Sequence, residues 1–217
     1  MNSRDKWLHN DPKHYAADPL SAASLPLNPL DLFQTWFQAA LADDPETANI
    51  MHLATVNSHS VPNCRVVLLK SVSEDGFMFF TNYQSTKANE LNIQPYACLN
   101  FLWIQQKHQV RVEGNVEKVS DEESDAYFAT RPRESQLGAW ASDQSSVIPS
   151  HEYLEQRYQA LEKQYHNHPI PRPLHWGGYI LKPQSYEFWQ GRDRRLHDRF
   201  RYQLQQEGRW QIDRLSP

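Results

Sequence analysis

The sequence predicts an α+β domain built mainly on an antiparallel β-barrel, with helices inserted between the strands. Five segments between residues 49 and 119 are rich in β-branched and aromatic residues, and turn residues separate them. Three more stretches of this kind follow residue 175, "GGYILK", "SYEFWQ" and "FRYQLQ…GRWQIDRL", and the last is a pair of strands that meet at a turn over Glu207–Gly208. About seven or eight strands with helices between them indicate an antiparallel barrel.

The first helix is predicted from its two ends. Asn28 is a favourable N-cap, Pro29 suits the first helical position, and "ADDPE" at 42–46 should end the helix. Its apolar stripe consists of Leu30, Phe33, Phe37 and Leu41.

Four further helices are expected downstream. Ser85 should cap a short helix over 86–92, and Ser120 with Glu123 forms a capping box for the next helix. Pro132 should end that helix, because the residue before a proline disfavours helical geometry. The last two helices are predicted over 134–141 and 151–165.

Length and composition set limits on the class of protein. The 217 residues suit a polar, mobile N-terminal arm over 1–27 and a single domain over 28–217. Two cysteines without a CxxC pair favour the reducing cytoplasm, and no segment resembles a signal peptide or a membrane span. A net charge of −4 argues against a general nucleic-acid binder.

Two groups of polar residues could form binding sites or could simply be solvated ends of a strand or a helix. Arg65 and Lys70 stand at the ends of "RVVLLK", where strand alternation places them on opposite faces, and they could equally be solvated strand ends. Tyr127, Arg131 and Ser135 follow one another at intervals of four, which suits a phosphate site or a solvated helix end. The nearby run "GAWASDQSSVIPS" could bind a polar ligand or form a loop.

The segment "FWQGRDRRLHDRFRY" contains five arginines in a chain that is acidic overall. On an extended segment, the alternating residues Arg195, His197 and Arg199 would point the same way, toward a local anion. Asp193 and Asp198 could instead neutralise the cluster as a salt-bridged surface.

Other chemistries lack a motif in this sequence. The ten histidines and two cysteines show no metal-ligand spacing, so no metal site is predicted. There is also no GxSxG nucleophile, no Walker motif and no GxGxxG loop.

Several motifs in order resemble the pyridoxamine 5′-phosphate oxidase family. They are "RVVLLK", "FFTNYQSTKANEL", "QVRVEGNVEKVSDEESDAYFATRPRESQLGAWASDQS", "HWGGY" and "EFWQGRDRRLHDRFRY", and the resemblance covers about residues 25–217. It implies an FMN-binding split β-barrel that forms a homodimer with FMN sites at the interface. The implied activity oxidises pyridoxamine or pyridoxine 5′-phosphate to pyridoxal 5′-phosphate, with O₂ as electron acceptor and H₂O₂ released.

The resemblance also implies roles for individual residues. The FMN-binding set is Arg65, Val66, Val67, Leu68, Leu69, Lys70, Phe80, Thr81, Lys87, Gln109, Gln144, Ser145, Trp189 and Arg199. The substrate-binding set is Lys70, Tyr127, Arg131, Ser135, Arg195 and His197, and the last two are the catalytic candidates. Because flavin performs the redox chemistry, the protein's task is to position the substrate and stabilise charge.

The chain departs from the family pattern at three places. Thr86 stands where an arginine is usual, and Phe80 stands where a tyrosine is usual. In the arm, Tyr15 matches a family tyrosine, but Pro12, with Lys13 beside it, occupies the position of an expected arginine. Two other functions remain open, a flavin enzyme of the same fold with a different substrate and a non-catalytic carrier of FMN or pyridoxal phosphate.

Overall fold

The structure, a computed structural model, describes residues 19–217. Most of the predicted arm, including Pro12, Lys13 and Tyr15, lies outside the described residues. Nine strands and five α-helices are present in the described part of the chain. The strands are β1 Ile50–Val56, β2 Pro62–Leu68, β3 Ser71–Ser73, β4 Gly76–Asn82, β5 Tyr96–Trp103, β6 His108–Lys118, β7 Trp176–Gln190, β8 Asp198–Leu204 and β9 Trp210–Arg214. The helices are α1 Pro29–Asp43, α2 Thr86–Ile93, α3 Asp121–Thr130, α4 Arg133–Ala141 and α5 His151–Gln164.

The strands form one sheet in the order β2-β1-β5-β6-β7-β4-β3, with β8 paired to β7 and β9 paired to β8. The pairs β1–β2, β4–β7 and β7–β8 are antiparallel. The described chain also divides into two compact units. One comprises Asn49–Asn100 and Val112–Gln184, and we call it the central unit. The other comprises the chain up to Ala48 with Phe101–Arg111 and Ser185–Pro217, and we call it the terminal unit.

The central unit contains β1–β4, parts of β5, β6 and β7, and helices α2–α5. Its sheet core consists of fully buried apolar side chains, among them Met51, Leu53, Phe77, Phe79, Leu99, Val112 and Leu181. Helices α3 and α4 and the start of β7 share a second buried cluster of Phe128, Leu137, Ile170 and Trp176. Tyr158, Leu161 and Tyr165 pack against that cluster, so this face of α5 is turned toward the core.

The terminal unit packs α1 against strand residues. Phe33 is fully buried and makes an edge contact with Phe101, whose ring centroid lies 5.0 Å away. The backbone of residues 20–26 is fastened to the same unit, since Leu20 N donates to Asp198 and the Tyr202 hydroxyl donates to Pro26 O.

The predicted helix ends are largely confirmed. The Asn28 side chain accepts from Leu30 N with Pro29 at the first helical position, and the capping box between Ser120 and Glu123 is formed in both directions. Ser85 stands at the N-cap of α2, but its side chain caps nothing. Its hydroxyl instead donates to Asn82 O and accepts a hydrogen bond from Lys87 Nζ, so a tertiary contact replaces the cap.

Two strand predictions are corrected. The segments "GGYILK" and "SYEFWQ" are a single strand, β7, because the proline between them, Pro183, is accommodated within it. The segment "RVVLLK" is not wholly within one strand, because β2 ends at Leu68 and the next strand, β3, begins at Ser71. No helix in residues 19–217 is long and apolar enough to cross a membrane.

Candidate functional site

The central unit contains a cavity of about 680 Å³. Strand β2, the end of β4, α2 and the α3–α4 junction all contribute to its wall. It is lined by Arg65, Val66, Val67, Leu68, Lys70, Phe80, Thr81, Asn82, Lys87, Tyr127, Thr130, Arg131, Pro132, Ser135, Gln144 and Trp176. Twelve of these sixteen residues belong to the sets implied by the sequence.

Arg65 and Lys70 line the same cavity, although strand alternation predicted opposite faces. The alternation is interrupted because the chain leaves β2 after Leu68. Leu69 N then donates to Asn49 O, and Lys70 N donates to Met78 O on β4. Leu69 itself is buried, at 4% exposure, and does not line the cavity.

Arg65 is held by a polar network behind the cavity wall. Its Nη1 donates to Leu53 O at 3.0 Å and to Thr55 Oγ1 at 2.5 Å, and its Nη2 donates to Glu90 Oε2 at 3.2 Å. Glu90 also accepts from Thr55 Oγ1 and Asn63 Nδ2. The guanidinium is therefore fixed before any ligand binds.

Lys87 is a buried cation beside this network. Its Nζ donates to Gln144 Oε1 at 2.7 Å, to Thr81 Oγ1 at 3.2 Å and to Ser85 Oγ at 3.3 Å. Burial, followed by the nearby charge of Arg65, lowers the pKa of Lys87 to about 8. These partners are neutral, so within residues 19–217 no carboxylate contacts the ammonium directly, and a bound anion would supply the counterion.

The α3–α4 junction supplies a second cationic group. Arg131 follows α3, and its guanidinium carbon lies 4.5 Å from the centroid of the Trp176 ring. Its Nη1 is buried without a hydrogen-bond partner among residues 19–217, and burial lowers the pKa of Arg131. Tyr127 stacks on Phe80 with ring centroids 4.0 Å apart, and Ser135 lies in the first turns of α4. A phosphate would satisfy the unpartnered donor of Arg131.

The terminal unit holds Trp189, His197, Arg195, Arg199 and Gln109. The expectation of an extended segment through Arg195 and His197 is wrong. Residues Asp193–Arg195 form a 3-10 turn, with φ of 57° at Arg194 and 61° at Arg195. Two successive side-chain-bearing residues in the left-handed region are uncommon, and such strain concentrates at functional sites.

His197 lies two residues after that turn and is held in one orientation. Its Nδ1 accepts a hydrogen bond from Arg192 N at 3.0 Å, and its ring lies 4.6 Å from the ring of Trp189. Burial and the charge of Arg195 lower the pKa of His197. At neutral pH the imidazole is therefore uncharged, with its proton on Nε2.

The C-terminal arginine cluster is only partly neutralised. Arg199 donates from Nε and Nη2 to Glu187, which also accepts from Arg111. Asp198 pairs with Arg192 and Arg214, and Arg201 pairs with Asp213. Among residues 19–217, no carboxylate pairs with Arg194 or Arg195.

Gln109 and Ser145, the two remaining predicted residues, do not line the cavity. Gln109 is on β6 in the terminal unit. Ser145 has a φ of 73° in the loop after α4, and its hydroxyl accepts from Thr86 N at 3.3 Å. Thr86 itself is exposed at the first position of α2.

Sequence reasoning missed four lining residues, Asn82, Thr130, Pro132 and Trp176. Trp176 occurs in the quoted motif "HWGGY", but the motif assigns it no role. Its contact with Arg131 comes from the tertiary fold. Glu90 was also missed, although its spacing of three from Lys87 places both on one face of α2.

Family models match most of the chain. Residues 37–165 match the model described as pyridoxamine 5′-phosphate oxidase. Residues 176–217 match the model described as the pyridoxine 5′-phosphate oxidase C-terminal dimerisation region.

Full-length relatives agree with these matches. A pyridoxine/pyridoxamine 5′-phosphate oxidase from Chromohalobacter salexigens is 53% identical, covering 94% of this chain and 96% of the relative. A protein of the same name from Nostoc punctiforme is 51% identical, covering 98% of this chain and all of the relative.

Solved structures place the chain in the same fold. The crystal structure of PhzG from Burkholderia lata, in complex with tetrahydrophenazine-1-carboxylic acid, has a TM-score of 0.86 at 26% identity, covering 94% of this chain and all of that one. An FMN-binding protein from Nostoc punctiforme, related to pyridoxamine 5′-phosphate oxidase, has a TM-score of 0.70 at 18% identity, covering 89% of this chain and all of that one. The split-barrel fold is therefore confirmed. The family matches over 37–165 and 176–217, with relatives about half identical along nearly their whole length, make this chain a member of the pyridoxine/pyridoxamine 5′-phosphate oxidase family.

Proposed function

We propose that this protein oxidises pyridoxine 5′-phosphate and pyridoxamine 5′-phosphate to pyridoxal 5′-phosphate, with bound FMN and with O₂ as the electron acceptor. The 4′ carbon of the alcohol loses two electrons and two protons, and O₂ becomes H₂O₂. With the amine, one water is also consumed and ammonia leaves, so both reactions balance.

The observation that carries the proposal is the Arg131 guanidinium with its unpartnered, buried Nη1 at the cavity wall. Tyr127 and Ser135 line the same wall with neutral hydroxyl groups, and Lys70 adds a second cation. A cation with neutral donors around it is the arrangement that a phosphate ester requires. These four residues would hold the substrate phosphate.

The other cationic group of the cavity consists of Lys87 and Arg65, and it fits the phosphate of FMN. Thr81 and Gln144 hold the Lys87 ammonium, and the cavity wall of β2 could lie along the isoalloxazine ring. The other FMN-binding residues would be those implied by the family motifs, Val66, Val67, Leu68, Leu69, Lys70, Phe80, Gln109, Ser145, Trp189 and Arg199. FMN, when bound, would accept hydride from the substrate's 4′ carbon and deliver the electrons to O₂.

Arg195 and His197 would contact the substrate ring. His197 is a neutral imidazole with its proton on Nε2, so it can donate a hydrogen bond to a ring substituent. Arg195 keeps its charge at any working pH, so it would orient the substrate and stabilise developing charge rather than accept a proton.

We also propose a homodimer, with FMN sites at the interface. The match of residues 176–217 to a dimerisation region supports this. Strand β2 is at an edge of the sheet and exposes the apolar side chains Val66 and Leu68, which a second copy could cover. Light scattering should give twice the 25.5 kDa chain mass, and a monomer that binds FMN stoichiometrically would contradict this proposal.

The activity test compares substrates that differ in the phosphate. Purified protein saturated with FMN is given pyridoxine 5′-phosphate, pyridoxamine 5′-phosphate or pyridoxine, and pyridoxal formation is followed by absorbance. We expect turnover of both phosphorylated compounds and a far lower kcat/KM for pyridoxine. A protein that binds FMN and turns over neither phosphorylated compound would contradict the proposal.

A second candidate is a flavin enzyme of the same fold that acts on another substrate. It is favoured by the similarity to PhzG, whose crystal structure contains a carboxylic acid ligand without phosphate. Supplying tetrahydrophenazine-1-carboxylic acid in the same assay distinguishes the two functions. A non-catalytic carrier would bind FMN or pyridoxal phosphate and turn over none of these compounds.

A further inference from the structure

Glu90 is a buried carboxylate that no part of the proposed reaction uses directly. It lies on α2, one turn after Lys87, and only 4% of the residue is exposed. A carboxylate in such a place needs hydrogen-bond donors and a nearby cation to remain ionised.

The surroundings of Glu90 provide both. Thr55 Oγ1 donates to Oε2 at 2.5 Å, Asn63 Nδ2 donates to Oε1, and Arg65 Nη2 donates to Oε2 at 3.2 Å. These contacts lower the pKa of Glu90, although burial alone would raise it. Glu90 is therefore an anion at neutral pH, and its hydrogen bond fixes one side of the Arg65 guanidinium.

The same carboxylate acts on Lys87. Burial and Arg65 both disfavour the charged ammonium, whereas the negative charge of Glu90 favours it. Among residues 19–217, the charged and titratable groups around this part of the cavity are Arg65 on β2, Lys70 just after β2, Glu90 on α2, and Tyr127 and Arg131 at α3. Glu90 is the one anion among them, so its removal would leave Lys87 beside cations and neutral groups.

We propose that Glu90 is a positioning residue, which fixes the Arg65 guanidinium at the cavity wall and keeps Lys87 a cation for the phosphate of FMN. The inference rests on the proposed function, since it takes FMN as the ligand of Arg65 and Lys87. It adds a role for a side chain that lies behind the wall and lines no part of the cavity.

The test measures the affinity of the apoprotein for FMN and for riboflavin between pH 6.5 and 9.5, by quenching of flavin fluorescence. Riboflavin lacks the phosphate, so the ratio of the two affinities reports the phosphate contacts alone. Glu90→Gln removes the charge and replaces one acceptor oxygen with an amide donor, and Glu90→Asp keeps the charge but shortens the reach toward Arg65. Glu117→Gln is the matched control, because Glu117 is an exposed carboxylate paired with Lys182.

We expect wild-type FMN affinity to fall as the pH rises through about 8, because Lys87 in the apoprotein loses its proton there. In Glu90→Gln the fall should begin at lower pH, and at pH 8 FMN should bind about tenfold more weakly while riboflavin changes less than about twofold. Glu90→Asp should lower the ratio of FMN affinity to riboflavin affinity, but its FMN affinity should begin to fall at the same pH as in the wild type. Glu117→Gln should match the wild type in both respects.

Two results would overturn the inference. One is a Glu90→Gln variant with the wild-type affinity ratio and with an FMN affinity that begins to fall at the wild-type pH. The other is Glu90→Asp with an unchanged ratio or with its onset shifted, and this variant decides the matter if Glu90→Gln does not fold. A wild-type protein that does not prefer FMN over riboflavin would instead contradict the proposed function, so the two failures are distinguishable.

Discussion

The guanidinium carbon of Arg131 lies over the ring of Trp176, 4.5 Å from its centroid, and the Arg131 Nη1 is buried without a hydrogen-bond partner among residues 19–217. This cation–π contact holds a guanidinium whose buried Nη1 has no acceptor in the part of the chain that the structure describes. An arginine held in this way is organised for an anion that comes from outside the chain.

Arg131→Lys keeps the charge but loses the planar fork and the guanidinium that lies over Trp176. We expect the KM for pyridoxine 5′-phosphate to rise roughly 10- to 100-fold, since a charge-assisted hydrogen bond contributes about 1.5–3 kcal/mol. FMN affinity should remain within about twofold of the wild type. Steady-state kinetics check this, and Arg133→Lys is the control, because Arg133 donates to Tyr165 O and His168 O instead of lining the cavity. An unchanged KM in Arg131→Lys would place the substrate phosphate elsewhere.

Thr86→Arg restores the arginine that the family pattern has at this position. Thr86 is exposed at the start of α2, beside the buried Lys87, so an added guanidinium has room to reach a bound phosphate. We expect FMN to bind about 10- to 100-fold more tightly. Equilibrium titration of the apoprotein measures this, with Thr35→Arg on the exposed face of α1 as the control for added charge. If the affinity stays the same, the missing contact is unimportant here or is already replaced.

Arg195→Lys and Arg195→Ala separate charge from geometry at the strained turn. Both variants should bind FMN normally and lose kcat/KM, and lysine should rescue only part of the loss because it lacks the guanidinium fork. Arg194→Ala is the neighbouring control, since Arg194 has the same left-handed backbone but is not among the implied site residues. Wild-type kcat/KM in Arg195→Ala with FMN fully bound would show that this cluster is only a solvated surface.

His108 makes the stability of the protein depend on pH. Its ring stacks on Trp36 with centroids 3.6 Å apart, and burial lowers its pKa to about 4. An unfolded histidine has a pKa of about 6.5, so between pH 4 and 6.5 the unfolded chain binds the extra proton and the folded protein does not. The free energy of unfolding should therefore fall as the pH drops from about 6.5 toward 4.

The comparison variant is His108→Phe, which keeps a ring against Trp36 and removes the titration. Its melting temperature should fall less than that of the wild type over the same pH range, as measured by calorimetry of the two apoproteins. Parallel curves for the two proteins would mean that other groups cause the acid sensitivity.

Local sequence signals predicted the elements whose causes are local. The N-cap at Asn28 and the capping box at Ser120 involve residues two and three positions apart, and both formed as expected. Prediction failed where distant contacts decide the outcome. Strand β2 ends at Leu68, and Leu69 N and Lys70 N then donate to Asn49 O and Met78 O, so the strand alternation stops before Lys70 and both Arg65 and Lys70 line one cavity.

The candidate site shows the same division. Spacing on α3 and α4 was enough to relate Tyr127 to Arg131, and both line the cavity. The contact between Arg131 and Trp176 joins positions 45 residues apart along the chain, and no local sequence pattern predicts it. Likewise, the turn over Asp193–Arg195 contains no glycine, the usual signal for a positive φ.

The most direct test of the account measures pyridoxal 5′-phosphate and H₂O₂ together, in air, from the purified protein and pyridoxine 5′-phosphate. The protein is assayed as apoprotein and after loading with FMN. We predict no product without FMN and, with FMN, one H₂O₂ for each pyridoxal 5′-phosphate formed. FMN-loaded protein that forms neither product, or that forms pyridoxal 5′-phosphate without consuming O₂, would contradict the proposed oxidase.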